Sequence, residues 1–100
     1  MAQVTIVYWR DIPAQVIVGS GRKGAKRTLD ERFEQTIDHI AMKAKVHDAD
    51  SYLEDWRRVH AHDRDGDQAA IADAEKARLE RVFDENRLKE LIANDGWEPD

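Results

Sequence analysis

Val4-Thr5-Ile6-Val7-Tyr8-Trp9-Arg10 and Ala14-Gln15-Val16-Ile17-Val18, joined through Asp11-Ile12-Pro13, decide the fold of this 100-residue chain. β-Branched and aromatic residues dominate both runs, and such side chains suit a pleated, half-buried surface. Strand alternation puts Val4, Ile6 and Tyr8 on one face and Thr5, Val7 and Trp9 on the other. Both faces are largely apolar, so the first strand is expected to be central or covered on both sides. In the second run Val16 and Val18 oppose Gln15 and Ile17. Pro13 has no N–H to give to a ladder and suits the start of a strand. The short connection predicts an antiparallel hairpin and sets its register.

A glycine-spaced cationic segment follows, Gly19-Ser20-Gly21-Arg22-Lys23-Gly24-Ala25-Lys26-Arg27, and reads as a loop. Five cations against one acid give +4 over residues 1–27; the whole chain is −5, so residues 28–100 carry −9. Thr28-Leu29-Asp30-Glu31 has the form of a capping box. Leu29, Phe33, Ile37, Ile40 and Ala44 then make one helical stripe, predicting a helix to about Val46. Acids in its first turn and lysines in its last complement the helix dipole. A short helix is expected near Asp50-Ser51, with Tyr52, Leu53 and Trp56 inward. Residues 57–67 can extend that helix, add a strand or form a solvated loop; alternation of Val59 and Ala61 with Arg58, His60 and His62 favours the strand. From Gln68 to Phe83 the pattern is helical, with Ala72, Leu79, Val82 and Phe83 inward. It resumes through Leu88, Leu91 and Ile92, with Asp84-Glu85-Asn86 as a break or an exposed turn. Asn94-Asp95-Gly96 ends the helix, glycine taking the left-handed cap. The expected fold is one α+β domain over residues 1–100: an N-terminal antiparallel β-hairpin, with an optional third strand near 57–62, packed against three or four helices.

Composition bounds the function. A chain of this length buries ~65% of its unfolded surface, and 41% hydrophobic residues suffice for one core. The charged fraction of 37% coats amphipathic helices. With no cysteine, disulfides, thiolate metal sites and cysteine nucleophiles are excluded. No apolar run approaches the ~18 residues that span a bilayer, and the N-terminus lacks the n- and h-regions of a secretory signal. The expected compartment is the cytoplasm, without membrane attachment. A net charge of −5 argues against nucleic acid as a partner, although one basic loop can still touch a phosphate.

Gly19-Ser20-Gly21-Arg22-Lys23-Gly24 has the G-x-G-x-x-G spacing of a dinucleotide loop. The helix cap comes too late for the third glycine to pack helix on sheet, and no second strand–helix–strand unit exists. A looser anion contact through Arg22, Lys23, Lys26 and Arg27 suits this loop better. Trp9-Arg10-Asp11 joins a tryptophan, a cation and an acid at the hairpin bend, where Trp9 serves first as a packing anchor. His60 and His62 would project from one face of a strand and, with a nearby carboxylate, are the low-ranked metal candidates. Asp63-x-Asp65-Gly66-Asp67 has its glycine two positions early for a calcium loop, and Ala74 stands where the bidentate glutamate belongs. No G-x-S-x-G is present, the helical carboxylates are spaced like solvated faces, and no cofactor is predicted. Trp56 is assigned to the core and Trp97 to an exposed, partner-seeking tail.

Val7-Tyr8-Trp9-Arg10-Asp11-Ile12-Pro13-Ala14-Gln15-Val16 resembles the signature of a small bacterial family described as virulence factor, whose domain also occurs within larger conserved virulence factor proteins of some Gram-positive bacteria. The likeness continues through the basic loop to Tyr52-Leu53-Glu54-Asp55-Trp56-Arg57; the later helices match in length and character. The family name implies a phenotype, not a mechanism, and gives no catalytic residues. Freestanding members beside folate- and corrinoid-linked one-carbon enzymes imply an accessory role. The leading expectation is thus a non-enzymatic interaction module. It would meet an unknown protein partner or an anionic small molecule through the Tyr8–Gln15 bend and the Gly19–Arg27 loop, using Trp9, Arg10, Arg22, Lys23, Lys26 and Arg27. The alternative is an anion-ligand-binding protein or enzyme accessory of one-carbon metabolism, taking a ligand such as a polyglutamylated folate on the basic loop.

Overall fold

The computed structural model of the chain describes residues 2–19, 24–44 and 49–98. Four strands form one antiparallel sheet: β1 (Ala2–Trp9), β2 (Ile12–Val18), β3 (Ala25–Thr28) and β4 (Trp56–Arg64), in the order β3-β2-β1-β4. Four helices complete the α+β fold: α1 (Glu31–Lys43), α2 (Ala49–Glu54), α3 (Gln68–Val82) and α4 (Glu85–Ala93). The expected hairpin is β1 and β2, and β1 is central. Its connection is only Arg10-Asp11, because Ile12 and Pro13 already belong to β2. Pro13 is tolerated there because β3 ends with Thr28 opposite Gln15, leaving Pro13 beyond the last rung of that ladder.

The third strand near 57–62 is real, and it begins earlier, at Trp56. The last three residues of the expected basic loop are also strand, since Ala25–Thr28 pairs with Gln15–Val18. This changes the start of α1. Thr28 is held in the ladder, so Asp30 supplies the cap, its carboxylate accepting from the Arg32 N–H at 3.1 Å. The Leu29 N–H donates to Ala14 O at 3.0 Å and turns the chain off the sheet.

Two register shifts shape the sheet. Val7 faces Gln15 while Tyr8 faces Pro13, so Ala14 is an extra residue in β2. Val4 faces His62 while Thr5 faces His60, so Ala61 is an extra residue in β4. The second bulge overturns one expectation: His60 and His62 leave opposite faces of the sheet, because their partners Thr5 and Val4 do.

Val4, Ile6, Val16 and Val18 are buried on one face, in one cluster with Ile71, Ala72 and Leu79 of α3. Phe33, Ile37 and Ile40 of α1 and Leu88 and Leu91 of α4 extend that cluster past Trp9 and Ile12 at the bend end of the sheet. Each such side chain contributes ~1.5–3 kcal/mol on leaving water. Ala44 lies exposed at the C-cap of α1, and Ala41 takes the inward place. Leu53 is 62% exposed, not inward, because six-residue α2 offers a single face and Tyr52 occupies it. Val82 is also exposed; α3 ends there and Phe83 turns inward instead, edge-on to Phe33 at 6.4 Å. Asp84 is a true break, capping α4 through the Arg87 N–H at 2.9 Å.

Candidate functional site

The hairpin bend is built into the molecule. Trp9 is fully buried, its indole N–H donating to Tyr52 O at 3.2 Å and its ring 5.9 Å from that of Tyr52. Arg10 takes φ +55° and lies between the Trp9 and Trp97 rings, 4.7 and 5.6 Å from their centres. Its Nε is 3.0 Å from Asp55 Oδ2, and its guanidinium also donates to Asp95 O. Asp11 accepts from Arg57 at 3.0 Å and from the Glu98 N–H. Trp97 is 44% exposed, its ring joined to the Arg10 cluster.

The basic segment stands at the other end of β2, roughly 20 Å away for a strand of this length. Arg22 and Lys23 lie outside the described residues. Gly19 leaves β2 at φ +77°, a left-handed conformation that favours glycine at this exit, and it lies against the end of the Gln68 side chain. Arg27 points to the α3 side and pairs with Asp73 at 2.7 Å. Lys26 points to the opposite face and is exposed.

That opposite face links the two ends. Lys26, Ile17, Thr5 and His60 form one row across all four strands; Thr28, Gln15, Val7 and Arg58 form the next. Lys26, Arg58 and His60 are exposed, while Val7, Ile17 and Thr5 are half-buried between them. Gln3, Thr5, Ile17, Gly19, Arg58 and His60 bound a shallow hollow of about 360 Å³. One carboxylate intrudes, Asp63, 3.0 Å from His60 Nε2. Sequence reading missed Arg58. Its alternation with Val59 was visible, but its proximity to Lys26 depends on the strand order.

On the covered face His62 Nε2 lies 3.3 Å from Glu75 Oε2. Glu75 is buried under α3, where it accepts from Arg78 Nε at 2.6 Å. Among the described residues no three side chains of His, Cys, Asp or Glu converge as a metal would require.

A separate cavity of about 210 Å³ lies between α1, α2 and the adjoining strand ends. Phe33, Tyr52 and Trp56 supply aromatic walls, Leu29 and Ile37 aliphatic ones, and Glu34 and Asp38 stand on α1 beside them. Its acidic character is opposite to that of the open sheet face.

Fold and surface together define a small α+β module whose sheet is packed on one face and largely open, with a basic rim, on the other. The chain belongs to the family described as Virulence factor, whose sequence profile matches residues 7–92. The match starts at Val7, inside the Val7–Val16 signature, and runs through α4. No curated protein and no solved structure matches the chain. Among the described residues no helix is long and apolar enough to cross a membrane.

Proposed function

We propose that the chain is a non-enzymatic accessory module of its family and holds an anionic partner on the open face of the sheet. The observation that carries this reading is the grouping of Lys26, Arg58 and His60 around half-buried Val7, Ile17 and Thr5. Apolar area in the middle and the Lys26 and Arg58 cations at the rim give a surface that both desolvates and steers. Arg22 and Lys23 adjoin in sequence the β2–β3 end of this face and are assigned to the same contact. Trp9 and Arg10 are given a supporting role, anchoring the bend that aligns β1 with β2 and β4. An anionic small molecule suits the cavity beside α1 poorly, because Glu34 and Asp38 would repel it. A protein with an acidic surface fits the open face better.

The test is charge reversal on exposed positions. Lys26→Glu/Arg58→Glu should leave unfolding free energy within about 0.5 kcal/mol of wild type, as surface substitutions generally do. Partner capture from a lysate of the native host should drop sharply for this variant, and wild-type capture should weaken as salt rises. Undiminished, salt-independent capture of the same partner by the variant would refute the assignment.

A further inference from the structure

We propose that the cavity bounded by Phe33, Tyr52 and Trp56, with Glu34 and Asp38 at its edge, is a binding site for an alkylammonium group. This goes beyond the contact assigned to the open sheet face: it uses none of that contact's cations, although Gln15 and Thr28 of the same face also border the cavity. Two observations converge. The Tyr52 and Trp56 rings meet at 75° with centres 5.9 Å apart, so the cavity has aromatic walls in two orientations. Ring faces carry the negative end of the aromatic quadrupole and attract a cation set against them. Glu34 and Asp38 are one helical turn apart on α1, hence on one side of it, and both border the cavity.

These two carboxylates differ from the acids that are committed to ion pairs in the fold. Asp11, Asp55, Asp73, Glu75 and Glu90 each hold an arginine. Glu34 and Asp38 pair with no cation among the described residues. Their field is felt inside: burial raises the pKa of the Tyr52 hydroxyl above its ordinary value, and the charges of Asp38 and Glu34 raise it further. A negative potential against apolar walls is what a cation with a hydrocarbon skin requires. A strongly hydrated metal ion gains little from such walls, and an anion is repelled.

Size narrows the class. About 210 Å³ is below the ~300–1,000 Å³ typical of drug-sized ligands. It suits a quaternary ammonium head or the end of a lysine side chain, with the rest of the ligand outside. The shared chemistry is the alkylammonium group; a free quaternary ammonium compound and a partner's lysine are its two sources.

Aromatic NMR of the intact chain separates them. Butyltrimethylammonium chloride and a blocked lysyl tripeptide are titrated while the ring signals of Phe33, Tyr52 and Trp56 are followed. At least one probe should shift all three rings saturably, and 3,3-dimethylbutanol, a neutral analogue, should not. Tighter binding of the salt assigns the site to a free quaternary ammonium compound, and tighter binding of the peptide assigns it to a partner's lysine. Glu34→Gln/Asp38→Asn, at exposed positions, should weaken the bound probe about tenfold relative to Glu31→Gln/Glu85→Gln, a change of equal charge elsewhere. Absence of a saturable shift with both probes would overturn the proposal. So would equal binding of the alcohol, or equal affinity in the two charge variants.

Discussion

Arg10 shows how one residue can be committed to structure while looking like a ligand-binding group in sequence. Its left-handed backbone is unusual for a non-glycine residue. It is fixed by the Arg10 N–H donating to Asp55 O at 2.9 Å and by the ion pair to the same aspartate. The third support is Gly96, whose carbonyl accepts from the Asp11 N–H at 2.9 Å. Gly96 has φ +90°, and a Cβ there would stand 3.0 Å from Arg10 Cδ. Gly96→Ala therefore combines backbone strain with a clash. It should destabilise the chain by more than about 1 kcal/mol, read as a lower urea midpoint at unchanged m-value. An unchanged midpoint would mean that the tail does not brace the bend.

At the scale of elements, α1 is the joint between sheet and helices. Phe33 is 1% exposed and touches Phe83 beyond α3. Truncation to alanine should cost about 3–5 kcal/mol, and a denaturation midpoint unaffected by Phe33→Ala would remove this joint from the account. The hairpin, α1 and the Gln68–Phe83 helix were legible in sequence because their periodic apolar patterns are long and local. β3 was not. Ala25-Lys26-Arg27-Thr28 has little strand propensity of its own; its conformation comes from the free edge of β2, a non-local cause. Thr28 has the spacing of a cap, and only that pairing takes it into the ladder and leaves the cap to Asp30. The separation of His60 from His62 depends on the bulge at Ala61, which alternation cannot register. Arg58 and the cavity escaped for the same reason: each needs residues from distant elements brought together by the strand order. Glu34 and Asp38 had a local signal, their i,i+4 spacing, but that spacing also describes any solvated helix face.

For the whole molecule, the governing asymmetry is that one face of the sheet is packed along its length while the other is covered only at the bend end, where Trp9 and Ile12 are buried, and is open beyond it. Helix α3 closes the face of Val4, Ile6, Val16 and Val18, while Val7 and Ile17 are left half-buried among Lys26, Arg58 and His60. Both the proposed anionic partner and the role of the basic strands depend on that asymmetry. Methyl NMR with a soluble, uncharged gadolinium chelate tests it most directly. The methyl groups of Val7 and Ile17 should relax markedly faster with added chelate than those of Val4, Ile6, Val16 and Val18. Equal protection of the two sets would show that the second face is covered, and would contradict the account.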